Sequence, residues 1–94
     1  MDTFIVIATF DATSDLSGMM AVVAEEVVQV EVLRGEGRLG FVHLSPARGT
    51  VFLEIHADDV AAAEATAGTL PMSPWWQIDV YPLAPAPVGP GPQA

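Results

Sequence analysis

The chain predicts an α+β fold of order β-α-β-β-α-β, and three observations carry that prediction. Short β-branched and aromatic runs stand near both ends of the folded part. Two apolar-rich runs in the middle are separated only by Pro46, Ala47, Arg48 and Gly49, the chemistry of a tight hairpin loop. A segment of helical length lies on each side of that hairpin.

Taken in order, residues 3–10 read as the first strand, and the Asp, Thr and Ser of 11–15 supply turn and N-cap chemistry. Residues 16–34 carry two signals. The alternation Val28, Gln29, Val30, Glu31, Val32 favours strand, whereas the length and the apolar positions Leu16, Met20, Val23, Val27 and Val30 favour helix. A strand of that length exceeds the usual range, and Gly35 and Gly37 suit a helix end, so one helix is expected. Residues 38–45 and 49–56 form the hairpin strands. Asp58 is expected to cap a second helix over 59–69, rich in alanine. Pro71 and Pro74 end that helix region, because proline neither donates to a ladder nor sits in a helix interior. Residues 75–81, from Trp75 to Tyr81, then form the fourth strand. This order is the split βαβ arrangement of ferredoxin-like domains.

One domain over 1–83 is expected, followed by a proline-rich tail over 84–94 that holds four of the eight prolines. A core drawn from about eighty residues nearly balances chain entropy. With no cysteine for a disulfide and no clustered metal ligands, a homodimer or higher homo-oligomer is expected. The net charge of −9, with three arginines and no lysine, repels phosphate backbones and anionic bilayers, so neither nucleic acid nor membrane is an expected partner. The N-terminus lacks a basic region, and its apolar run over 4–10 is short for a signal core or a span, which makes a cytoplasmic location the expectation.

Pairing Ser45 with Thr50 sets His43 opposite Phe52, Phe41 opposite Glu54 and Leu39 opposite His56 on one sheet face. Val42, Leu44, Val51, Leu53 and Ile55 share the reverse face, which is uniformly apolar and expected beneath the helices. By the same parity Trp75, Gln77, Asp79 and Tyr81 join the mixed face, with Trp76, Ile78 and Val80 opposite. A second subunit laid sheet to sheet on the mixed face gives a dimeric α+β barrel and removes an amphipathic surface from water.

Within the long helix, Glu25 and Gln29 point away from the apolar stripe, while Glu26 flanks it among Val22, Val23 and Val30. A carboxylate so placed has a raised pKa, which suits a general base for carbon acids. The competing reading is a boundary glutamate whose head reaches solvent. His43 and His56, with Glu54 nearby, form either a proton relay or a hydrogen-bonded interface cluster. Glu54 and His56 with one partner across the hairpin fall short of a metal site. Phe41, Phe52, Trp75, Trp76 and Tyr81 are the candidate substrate-contacting residues, one tryptophan walling a pocket while the other anchors the core.

The run Leu70-Pro71-Met72-Ser73-Pro74-Trp75-Trp76-Gln77-Ile78-Asp79-Val80, with Leu33, Glu36 and Gly37 at the helix end and thirty-two residues between Gly37 and Leu70, resembles the muconolactone isomerase family. The resemblance covers nearly all of the folded part. It implies the dimeric ferredoxin-like fold, higher assembly from dimers, and movement of a proton between carbons of an unsaturated lactone without metal or organic cofactor. Glu26 falls where the family places an acidic residue. Family members acting on muconolactone carry lysine and other basic residues on the first helix and strand; here those places hold Val22, Val27 and the apolar run 4–10. Phe41, Val42 and His43 likewise replace basic and aromatic residues.

The expected activity is therefore a cofactor-independent isomerase or cyclase acting on a small unsaturated lactone or polyketide-like molecule. Glu26 would be the base, and His43, Glu54 or His56 an acid or relay. Two other readings stand beside it: a noncatalytic ligand-binding or assembly module, and a cofactor-free monooxygenase on the same barrel.

Overall fold

The computed structural model describes residues 1–10 and 16–84. Its elements are β1 (Asp2–Phe10), α1 (Leu16–Ala21), α2 (Val23–Gly35), β2 (Leu39–Ser45), β3 (Thr50–Ala57), α3 (Val60–Gly68) and β4 (Trp76–Pro82). Short 3₁₀ turns lie at Pro46–Arg48 and Ser73–Trp75. The four strands form one antiparallel sheet of order β2-β3-β1-β4. Each β-α-β unit therefore skips one strand, an arrangement compatible with the ferredoxin-like fold. The tail expected over 84–94 lies outside the described residues beyond Ala84, as does the turn over 11–15. No described helix is long and apolar enough to cross a membrane.

Alternation places the core on one sheet face. Phe4, Val6 and Ala8 of β1 and Leu53, Ile55 and Ala57 of β3 pack there against Leu33 of α2, Ala63 and Ala67 of α3, and Leu70. Burial at this face supplies the main stabilisation, at about 25 cal/mol for each Å² of apolar surface removed from water. In β4, Trp76, Ile78 and Val80 support the same face. Gly49 ends the hairpin turn at φ 56, a left-handed conformation that a residue without Cβ adopts freely.

Several expectations are corrected. The helix expected over 16–34 breaks at Val22, whose N–H bonds the Met19 carbonyl at 3.1 Å before Val22 itself accepts from Glu26 N–H. Gly18 and the β-branched pair Val22 and Val23 all weaken helix propensity there. The inward stripe of α2 is also different. It runs through Val22, Glu26, Val30 and Leu33, whereas Met20, Val23 and Val27 face outward. Gln29 does not point away into solvent but donates to Thr69 Oγ1 at 3.0 Å. Asp59, not Asp58, caps α3, accepting from Ala62 N–H at 2.7 Å. Trp75 lies in the 3₁₀ turn ahead of β4 and so does not share the alternation of Gln77, Asp79 and Tyr81.

The hairpin holds a further correction. Ser45 pairs with Thr50 and His43 with Phe52 as expected, but a bulge follows, and Leu39 pairs with Ile55 in the core instead of with His56. Two residues, Gly40 and Phe41, oppose Glu54 there. The Phe41 N–H that the bulge removes from the ladder donates to Glu54 Oε1 at 3.1 Å. A Cβ at residue 40 would collide with that carboxylate, so glycine is what lets the Glu54 side chain approach.

Candidate functional site

α2 carries Glu26 toward the sheet, on the helix-covered face. Glu26 Oε1 accepts the backbone N–H of Met72 at 2.9 Å, a contact across 46 residues of sequence. The turn that presents this N–H is built by Pro71 and Pro74: Ser73 N–H returns to the Leu70 carbonyl and Trp75 N–H to the Met72 carbonyl. Burial raises the Glu26 pKa above the ordinary 4.5, because the charged form loses water; the Met72 N–H opposes this by favouring the carboxylate. Desolvation is the larger effect.

Met72 also lines a partly enclosed cleft of about 380 Å³. Phe10 at the end of β1, Met19 of α1, Leu44 of β2, Val51 of β3 and Trp76 at the start of β4 form the rest of its wall with Gly49. The wall is nearly all apolar, and its two methionines and two aromatic rings suit a flat, weakly polar molecule. Leu44 was expected beneath the helices; it is largely exposed and contributes to this wall at the sheet margin. A shallower hollow of about 470 Å³ is bounded by Ala24, Glu25, Val28, Gln29 and Pro71. Adjacent residues Pro71 and Met72 thus line one hollow each. The smaller cleft is the better candidate site despite its volume, because its wall is apolar and joined to a perturbed carboxylate.

Apart from Trp75, which stays in the 3₁₀ turn ahead of β4, the other candidates lie on the opposite, open sheet face. His56 Nε2 is 3.5 Å from Glu54 Oε2, and His56 Nδ1 is 3.3 Å from Thr3 Oγ1. His43 stacks at a tilt on Phe41, ring centroids 4.7 Å apart, and pairs across the ladder with Phe52. Tyr81 pairs with Ile5 and is half exposed. Of the residues selected from sequence, the fold therefore brings Trp76 to the cleft that Met72 links to Glu26. It gathers Glu54 with His56, and Phe41 with His43 and Phe52, on the far side of the sheet. Arg38, just ahead of β2, donates to Thr66 Oγ1 at 2.8 Å and to Glu36 Oε1 at 3.2 Å, tying the start of that strand to α3.

Sequence reasoning missed Phe10, Met19, Leu44, Gly49, Val51 and Met72 as cleft residues. Met72 alone carried a local signal, since a backbone N–H between two prolines has few partners within its own turn. No protein-family model matches the chain, and no characterised protein matches it in sequence.

Proposed function

We propose that the chain is a cofactor-independent isomerase or cyclase of the muconolactone isomerase type, with Glu26 moving a proton between carbons of a small unsaturated lactone or polyketide-like substrate. The observation that carries this reading is a partly buried carboxylate tied through Met72 to the wall of an apolar cleft. The Pro71 to Trp76 segment that resembles the family is the same segment that supplies Met72 and Trp76. The resemblance and the geometry thus support one another at the same residues.

The chemistry follows from the environment. Ionised Glu26 takes a proton from a carbon made acidic by the lactone carbonyl and the neighbouring double bond, and the C–H electron pair passes into that carbonyl as a dienolate. The carboxylic acid so formed returns the proton at the far end of the conjugated system, and the double bond moves. A pKa raised by desolvation makes the carboxylate a stronger base than one in water. The apolar wall and the absence of lysine favour a substrate with little charge.

The open sheet face is, on this reading, the dimer interface of an α+β barrel. Ile5, Ile7 and Phe52 are its apolar centre, and Glu54, His56 and His43 are interface residues and not the proton path. The test uses a β,γ-unsaturated γ-lactone in deuterated water. The wild-type chain should incorporate deuterium and shift the double bond, and Glu26→Gln should lose roughly 10²–10⁴-fold in rate with unchanged assembly. Full activity in Glu26→Gln rejects Glu26 as the base. Binding of the lactone without any exchange would favour the noncatalytic module.

A further inference from the structure

Six of the seven residues around the apolar cleft are held by the rigid part of the fold. Phe10, Leu44, Val51 and Trp76 sit in the strand ladder, Gly49 accepts the Phe10 N–H at 2.8 Å, and the Met72 N–H is pinned by Glu26. Met19 is different. It comes from α1, a helix of six residues, and no described side chain of α1 joins the core.

A helix that short does not hold its shape alone, because its first turn must be fixed before hydrogen bonds compensate. Gly18 weakens it further. Nor do its hydrogen bonds run on into α2. The Val22 N–H returns only three residues, to the Met19 carbonyl at 3.1 Å, and φ −106 with ψ 11 leaves the helical range. The Val22 carbonyl, by contrast, belongs to α2, accepting the Glu26 N–H at 2.9 Å. Val22 is therefore a joint, fixed on its α2 side and free to turn on its α1 side.

We propose that α1 is a movable wall of the cleft, opening about Val22 to admit a ligand, and that Met19 is the residue through which it closes on that ligand and limits its size. This rests on the cleft being the ligand site and is independent of whether Glu26 is the base. An element that buries nothing in the core draws its stability from what it covers, so α1 belongs to the least stable part of the fold until a ligand gives Met19 something to pack on. Methionine suits such a position, since three rotatable bonds and a polarizable sulfur let one side chain meet rings of different outline. Met72 across the cleft has no such freedom, its backbone being bound at Glu26 and at Trp75. One wall is set and the other adjusts. The occupant that fits is a flat, weakly polar fused-ring molecule. A cavity of about 380 Å³ stands near the lower end of the range for small-molecule sites, so each added ring is felt at Met19.

Amide hydrogen exchange on the full-length chain tests the wall, with naphthol (two fused rings) and hydroxypyrene (four) as probes and calorimetry to establish binding. In the free protein the α1 amides should exchange roughly tenfold or more faster than those of α3, and saturation with naphthol should slow them while leaving α3 unchanged. Equal protection of α1 and α3 in the free protein would overturn the proposal, and so would binding that leaves α1 exchange as it was. Met19→Ala should shift the ratio of the two affinities roughly tenfold toward hydroxypyrene, whereas Met20→Ala, at a side chain 64% exposed on the same helix, should not. An equal shift in both variants, or in neither, would overturn the role of Met19. A wild-type chain that binds neither probe would reject the cleft as a ligand site and the movable wall with it. Glu26→Gln should bind naphthol and protect α1 as the wild type does, so loss of turnover in that variant judges the base alone.

Discussion

The two helices that cross the sheet, α2 and α3, are used in opposite ways. α3 buries Ala63, Thr66 and Ala67 completely and packs over β1, β3 and β4. Its small side chains let the backbone come close to the strands, and its one buried polar side chain is satisfied: Thr66 Oγ1 donates to the Ala62 carbonyl and accepts from Arg38. α2 packs mainly on β2, buries only Leu33 fully, turns the Glu26 carboxylate inward and leaves four valines outside. The α3 side is built for close packing. On α2, burying a carboxylate costs stability, and that carboxylate reaches the cleft edged by Phe10, Leu44 and Trp76 through the backbone of Met72. A helix that gives up packing to hold a charge against the backbone of a cleft residue is where function is to be sought.

Substitutions test that contrast, in decreasing order of effect. Leu33→Ala, which removes the single fully buried anchor of α2, should cost about 2–5 kcal/mol in denaturant unfolding; a loss below 1 kcal/mol would mean that α2 is held by something else. Ala67→Leu should cost about 1–3 kcal/mol by overpacking the α3 contact, whereas Ala65→Leu on the exposed side of the same helix should change stability by less than about 0.5 kcal/mol. Equal effects would remove the distinction between the faces of α3. Asp59→Ala should cost about 1 kcal/mol through loss of the N-cap, and Asp58→Ala, next to it but not bonded to Ala62, close to none.

The smallest effect has a sign set by linkage. Folded Glu26 holds its proton more tightly than the unfolded chain does, so the native state binds more protons over the interval between the two pKa values. The destabilisation from ionising Glu26 is absent below the ordinary value of 4.5 and complete above the raised folded value. Glu26→Gln keeps an acceptor for the Met72 N–H and removes the charge. It should melt roughly 1–3 °C higher than wild type at pH 7.5, a modest gain because the carboxylate is only partly removed from water and is screened. The gain should vanish near pH 4, and a gain that grew toward acid would contradict the assigned cause.

Much of the scaffold was legible because its signals are local. β-branched and aromatic runs marked β1 and β4, the apolar runs about the Pro46 to Gly49 loop marked the hairpin and its Ser45 to Thr50 register, and alanine content marked α3. The orientation of α2 was not legible, since a helix with valine on every side gives no direction to its apolar stripe, and burial was decided by what Leu33 meets on the sheet. The bulge at Gly40 and Phe41 was equally hidden, because it depends on the Glu54 side chain fourteen positions beyond Gly40. At the site, the valine surroundings of Glu26 foretold its desolvation. Its tie to Met72 and the assembly of the cleft from five separate elements were tertiary facts with no local trace.

The most direct test is a carbon NMR titration of the Glu26 carboxyl, assigned by its disappearance in Glu26→Gln. A midpoint clearly above the ordinary 4.5 is the result expected of a carboxylate sheltered between α2 and the Met72 turn. A midpoint at or below that value would show a group at ease as an anion in water or in a network of donors, and would contradict its role as a base tuned by burial.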